Sequence, residues 1–164
     1  LTPERLKEIQ RKYPSLYAEY KVRRLNEMAC YWSNKPHQPH TIPLLAMLIQ
    51  ESGSLDPLIR GDWKGGGYYA IGISQHHICH RRTFGKRYCY WQDGKHPQQQ
   101  VEEAYPQFTT DWRSQFFHYS DVIRSYIDEG MTTDKMIWRW NPGERNRRWR
   151  VGRWEGFVSL SIKP

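Results

Sequence analysis

The stretch TIPLLAMLIQESGSLDP, Thr41 to Pro57, decides how the rest of the chain is read. Ile42, Leu44, Leu45, Ala46, Met47, Leu48 and Ile49 would cover nearly every side of a helix, so this helix belongs at the centre of a domain, with Thr41 as its expected cap. Gly53 is the expected left-handed stop. Glu51 therefore stands in the last turn, at the rim of the core, where the helix dipole disfavours negative charge. Partial burial acts in the same direction, and both favour the protonated carboxylic acid. Cleavage of a glycosidic bond by a general acid needs such a group, because the leaving oxygen must receive a proton as the bond breaks. An ordinary surface Glu at a helix end would occupy the same position.

Working outward, most of the chain reads as helix. At the N-terminal end Thr2, Pro3 and Glu4 form a start signal, and Leu6, Ile9 and Tyr13, then Leu16 and Tyr20, follow at helical spacing, with Pro14 splitting the segment in two. SNKPHQPH, residues 33 to 40, reads as a loop. From Asp56 to Gln75 the chain is rich in Gly, Asp and aromatic residues, which predicts loops or a small irregular sheet. A helix follows between Asp111 and Gly130, then a short one over TTDKMIWRW, stopped by NPG. A last helix is expected over RWRVGRWEGFVSLSI, carried by Val151, Trp154, Val158 and Ile162. No repeat or linker interrupts the pattern, so one mainly α domain with a small irregular β/loop region is expected over residues 1–164.

Composition narrows the partners. The 25 Lys and Arg against 17 Asp and Glu give a net charge of +8, which attracts polyanions: nucleic acid, anionic membranes or an acidic wall polymer. Eight Trp and 11 Tyr, many beside polar or basic residues, suit stacking on sugars or bases as well as half-buried packing. No apolar run approaches the ~18 residues of a membrane span, and LTPERLKEIQRKYP has no signal-peptide core.

Two segments carry alternatives. His76, His77, Cys79, His80 and Cys89 are residue types that bind zinc, but their spacing fits no standard finger or protease. The segment reads as a polar loop made cationic by Arg81, Arg82, Lys86 and Arg87, with Cys79 and Cys89 as buried thiols or one disulfide. No metal and no cofactor is expected. In ERNRRWRVGRW, Arg145, Arg147, Arg148, Arg150 and Arg153 alternate with Trp149 and Trp154. This suits nucleic acid, the carboxylates of peptidoglycan, or a solvated helix face with its Trp residues turned inward.

RGDWKGGGYYAIGISQ, Arg60 to Gln75, has three consecutive glycines, which allow tight backbone paths but lack the Gly-Lys-Ser/Thr of a phosphate-binding loop. IQESGSLDP followed by AIGISQ resembles the signature of the soluble lytic transglycosylases and goose-type lysozymes, where a helix ends in a catalytic Glu-Ser and a later Gly-x-x-Gln returns beside it. WRWNPG, Trp138 to Gly143, is similar to that family's Tyr-Asn-x-Gly segment. The three pieces run from Glu51 to Gly143 in the family's order. The N-terminal region and the insertion from His76 to about Pro97 match nothing in it.

The resemblance implies a lysozyme-like fold and cleavage of the β-1,4 bond between N-acetylmuramic acid and N-acetylglucosamine. It makes Glu51 the general acid and then the base, Ser52 its orienting neighbour, Gln75 with GISQ a lining of the sugar groove, and Asn141 a brace on the other side. Tyr68 and Tyr69 join the expected substrate-binding set. Trp140 stands where the family has Tyr, and its indole N–H donates but does not accept.

Asp62, in the longer goose-type gap, is the candidate second carboxylate for a hydrolase, which needs a base to activate water on the far face of the sugar. RGDW equally reads as a turn whose Asp bonds local backbone. A transglycosylase needs only Glu51, since the muramic 6-hydroxyl closes onto the anomeric carbon. The expected partner is the peptidoglycan glycan strand, met by a monomer in the periplasm, cell envelope or extracellular space, in a bacterial or a phage setting. Nucleic acid is the weaker partner, and the reading from another class is a basic module, without chemistry, that binds nucleic acid or wall glycan.

Overall fold

A computed structural model of the chain describes residues 1–79, 84–142 and 147–164. His80, Arg81 and Arg82 of the basic segment, and Gly143, Arg145 and the Arg147 side chain near the C-terminal end, lie outside the described residues. The fold is mainly helical. In chain order it runs α1 (Pro3–Lys12), α2 (Glu19–Trp32), a 3-10 turn (Gln38–His40), α3 (Thr41–Ser52), β1 (Arg60–Lys64), β2 (Gly67–Ile71) and β3 (His76–His77). Then follow α4 (Pro97–Ala104), α5 (Pro106–Thr110), α6 (Trp112–Asp128), α7 (Thr133–Trp140), α8 (Arg147–Gly152) and α9 (Glu155–Ile162). Contacts divide the chain into two units, Leu1–Gly53 with Ile123–Pro164, and Ser54–Val122.

The first unit is helical. Leu44 to Ile49 are all buried, as an apolar helix requires, and α2, α7, α8 and α9 pack on α3. Val22, Leu25, Met28 and Trp32 of α2, with Phe157 and Val158 of α9, complete this core. The Thr2 hydroxyl accepts from the Arg5 N–H and caps α1, which ends at Tyr13, before Pro14.

Two boundaries differ from the sequence reading. The 3-10 turn runs straight into α3, so Thr41 is its first helical residue and His40 takes the cap position. The expected last helix is two, because Gly152 ends α8 and Trp154 turns its indole N–H onto the Gln50 side-chain oxygen at 2.8 Å.

The second unit holds an antiparallel sheet in the order β1-β2-β3. β1 and β2 form a hairpin pairing Trp63 with Tyr68 and Lys64 with Gly67. Gly65 and Gly66 make its two-residue turn with φ of +52° and +91°, values that exclude most side chains. The three glycines thus belong to a tight hairpin, where composition also allowed a loose surface loop. Helices α4 and α5 lie in a stretch the sequence reading leaves unassigned; each begins with a proline, the residue suited to a first helical turn. Ile71, Ile78, Tyr88 and Val101 form a small core, with Phe84 and Phe108 against it.

Polar side chains hold this unit together as much as apolar ones do. Arg60 donates to Glu102 at 3.0 Å and to the carbonyls of Pro57, Ile59 and Thr109. Buried Gln115 accepts from the Ile73 N–H at 3.0 Å and donates to the Pro57 and Phe108 carbonyls. His96 caps α4 by accepting from the Gln98 N–H at 3.0 Å, and its other ring nitrogen meets the Lys64 carbonyl at 3.0 Å.

Gly67 lets His96 approach: a methyl group added there would lie 2.5 Å from the ring. Gly67→Ala should therefore displace His96 and cost about 2 kcal/mol, combining overpacking with a lost cap. A lower urea midpoint at unchanged slope checks this; an unchanged midpoint would show that the ring yields freely.

Candidate functional site

The sequence-predicted residues fall in both units. Glu51, Ser52, Trp140 and Asn141 belong to the first, and Asp62, Tyr68, Tyr69 and Gln75 to the second.

Glu51 is half-buried in the last turn of α3. The residues around it are each committed. Gln50 accepts from the Trp154 indole, and Arg153 reaches the same oxygen at 3.4 Å. The Ser52 hydroxyl donates back to the Leu48 carbonyl at 3.0 Å. Gly53, at φ +71°, stops the helix, and its carbonyl accepts from the Lys21 ammonium at 3.0 Å. Lys21 is buried, which pushes its pKa down. Sequence reasoning missed it, since a lysine in the helical pattern of α2 gives no sign that it points inward. Trp140 and Asn141, both half-buried, stand at the end of α7, where the Asn141 N–H closes the helix on the Ile137 carbonyl.

Two arginines of the C-terminal segment, Arg148 and Arg153, are engaged with protein. Arg148 pairs with Asp134 at 2.8 Å and Glu155 at 2.6 Å. The Arg153 guanidinium lies 4.8 Å from the Trp154 ring centre and 5.6 Å from that of Trp149.

In the second unit GISQ forms a turn. The Gln75 backbone N–H bonds the Gly72 carbonyl, and its side-chain amide donates to the same carbonyl at 3.0 Å and to Ile59 at 3.4 Å. This amide holds β1 to the turn after β2. Asp62 is exposed, with φ +57°, a strained backbone for a residue other than glycine. Tyr69 stacks on His77 at 5.9 Å and meets His96 edge-on at 4.9 Å. Burial pushes the His77 pKa down, the Asp62 charge opposes this, and Lys64 adds to it.

Cys79 and Cys89 are joined in a disulfide, which removes both from any metal site, and Cys30 is a free, exposed thiol. Among the described residues no three His, Cys, Asp or Glu side chains are grouped to hold a metal ion, and no helix is long and apolar enough to cross a membrane. Comparison with protein families, curated proteins and solved structures finds no match.

The charge balance around His77 is open to measurement. Its NMR titration midpoint should lie below the ordinary histidine value of about 6.5. Asp62→Asn should lower it further, because the opposing charge of Asp62 is then gone. In the window just below 6.5 the unfolded chain binds more protons than the folded one, so the His77 contribution falls as pH falls. A midpoint unmoved by Asp62→Asn would separate the two side chains.

Proposed function

We propose that this chain is a peptidoglycan-cleaving lytic transglycosylase with a lysozyme-like fold. The observation that carries the reading is the placement of Glu51, a half-buried carboxylate in the last turn of a helix in which Leu44 to Ile49 are all buried. Its resemblance to the Glu-Ser, Gly-x-x-Gln and Asn-x-Gly elements of that family adds the substrate. Glu51 gives its proton to the glycosidic oxygen as the bond from C1 of N-acetylmuramic acid breaks, and N-acetylglucosamine leaves with that proton. The acetamido oxygen of the muramic residue holds C1 meanwhile. Glu51, now a carboxylate, takes the proton of the 6-hydroxyl, whose oxygen closes onto C1 and displaces the acetamido group. The product carries a 1,6-anhydro ring.

By resemblance to that family, Ser52, Trp140 and Asn141, in the unit that holds Glu51, are substrate-binding residues, and so are Tyr68, Tyr69 and Gln75 of the second unit. Such a substrate places the protein in the periplasm, the envelope or outside the cell, and the Cys79–Cys89 disulfide suits an oxidising compartment. A hydrolase in which Asp62 activates water is the second reading. It is favoured by the strained backbone of that exposed carboxylate, because strain of this kind concentrates at functional positions.

Incubation with purified peptidoglycan and mass analysis of the soluble products tests both readings. Wild type should release anhydro-muropeptides, Glu51→Gln should lower release by at least ~100-fold, and Asp62→Asn should leave it within a few-fold. Reducing-end products lost in Asp62→Asn would establish the hydrolase instead. Release by Glu51→Gln at the wild-type rate would remove the acid from the mechanism.

A further inference from the structure

A pocket of about 500 Å³ lies at the end of α3 opposite Glu51, walled by Cys30 of α2, Thr41, Ile42 and Pro43 of α3, and Ile162 of α9. All of these belong to the first unit. Thr41 and Glu51 stand about 15 Å apart along the helix axis at the ordinary rise per residue. The volume falls within the roughly 300–1,000 Å³ of small-molecule sites.

Cys30 gives the pocket a reactive atom. Cys79 and Cys89 are joined, so Cys30 is the one thiol left among the chain's three cysteines, and it is exposed. A free thiol in a chain that also carries a disulfide is a point for thiol–disulfide exchange.

Thr41 gives the pocket an unmet hydrogen bond. Its backbone N–H donates to the Gln38 carbonyl, but its hydroxyl, on a residue only 9% exposed, has no partner. Buried hydroxyls are nearly always paired, since an unpaired one costs stability. A polar group of a bound molecule would supply the pair.

The rest of the wall selects the molecule. Among the described residues no charged side chain lines the pocket, and its other polar groups are the Asn26 and Gln38 amides and the Ser33 hydroxyl. Amides and hydroxyls pair with peptide groups, while Ile42, Pro43 and Ile162 offer apolar contact. Thr41, Ile42 and Pro43 also open a 12-residue helix, whose positive pole favours a carboxylate over an ammonium. A disulfide between the Cys30 residues of two copies would use neither the pocket nor the Thr41 hydroxyl.

We infer that Cys30 is a site of reversible thiolation by small peptide thiols that carry a carboxylate, the body of the thiol lying in this pocket. The Cys30 thiolate attacks one sulfur of the thiol's symmetric disulfide, whose S–S bond breaks as the bond to Cys30 Sγ forms. The other half leaves as a thiolate and takes up the proton that Cys30 lost. Cys30 is thereby oxidised and the departing half reduced, and excess thiol reverses the step. The inference stands apart from the cleavage reading, since Glu51 has no part in it.

Equilibration of the whole chain with glutathione disulfide and glutathione, read by intact mass and peptide mapping, measures the mixed-disulfide constant. Cystamine with cysteamine, which has an ammonium and neither amide nor carboxylate, is the reference couple. The glutathione constant should be about tenfold the larger, with the group on Cys30 and none added to Cys30→Ser. Thr41→Val should lower it about fivefold, the scale of one hydrogen bond, and leave the cysteamine constant alone. That variant loses an unpaired hydroxyl, so it should melt no lower than the parent. Gln38→Glu changes an exposed position of the wall and leaves the core intact. It should lower the glutathione constant about threefold and raise that of cysteamine.

Equal constants for the two couples overturn the inference, as does a glutathione constant unmoved in both variants. So does a disulfide-linked dimer as the main product, or a glutathione group that maps to Cys79 or Cys89.

Discussion

The last carbonyls of α3 need hydrogen-bond donors from outside the helix. Its body, Leu44 to Ile49, is buried, while Gln50, Glu51 and Ser52 are half-buried and Gly53 is exposed. Lys21 answers part of this by placing a buried ammonium on the Gly53 carbonyl. Burial disfavours that charge, but the negative pole of the helix favours it, and the pairing opposes the repulsion any neighbouring carboxylate would feel. With Gln50 holding the Trp154 indole and Ser52 bonded to Leu48, the backbone on both sides of Glu51 is fixed. Anything Glu51 does, it does from a stationary mount.

The two units solve stability differently. In the first, aliphatic and aromatic side chains from four helices converge on α3, and most polar groups stay at the rim. In the second, short strands and helices could not bury enough apolar surface alone, and Arg60, Gln115, Gln98 and His96 bind backbone groups that regular structure leaves unpaired. Such a network tolerates little change of shape.

This difference explains what the sequence disclosed. Segments governed by apolar periodicity, α1 to α3 and α6 to α7, were legible because burial imposes a spacing that a reader can count. The hairpin was legible only as a small irregular sheet, since glycines mark a turn without saying which strands it joins. The segment from 97 to 110 was opaque because its helices are mostly polar and are held by His96 and Arg60. Gly53 could be read as the helix stop, and Glu51 as standing in the last turn before it. The inward turn of Lys21, and the linkage of His96 to Lys64, depend on contacts between distant positions and leave no local trace.

The chain is made in an order that leaves its central helix waiting for its partners. The first unit consists of Leu1–Gly53 and Ile123–Pro164, separated by the whole of the second. When Gly53 leaves the ribosome, α2 and α3 already exist, but α8 and α9, which cover them, are about a hundred residues from being synthesised. Val22, Leu25 and Leu44 to Ile49 must wait uncovered through that interval, while the second unit, continuous in sequence, has all its partners close at hand. The apolar helix that mounts Glu51 is therefore also a segment whose covering partners, α8 and α9, come last in the chain.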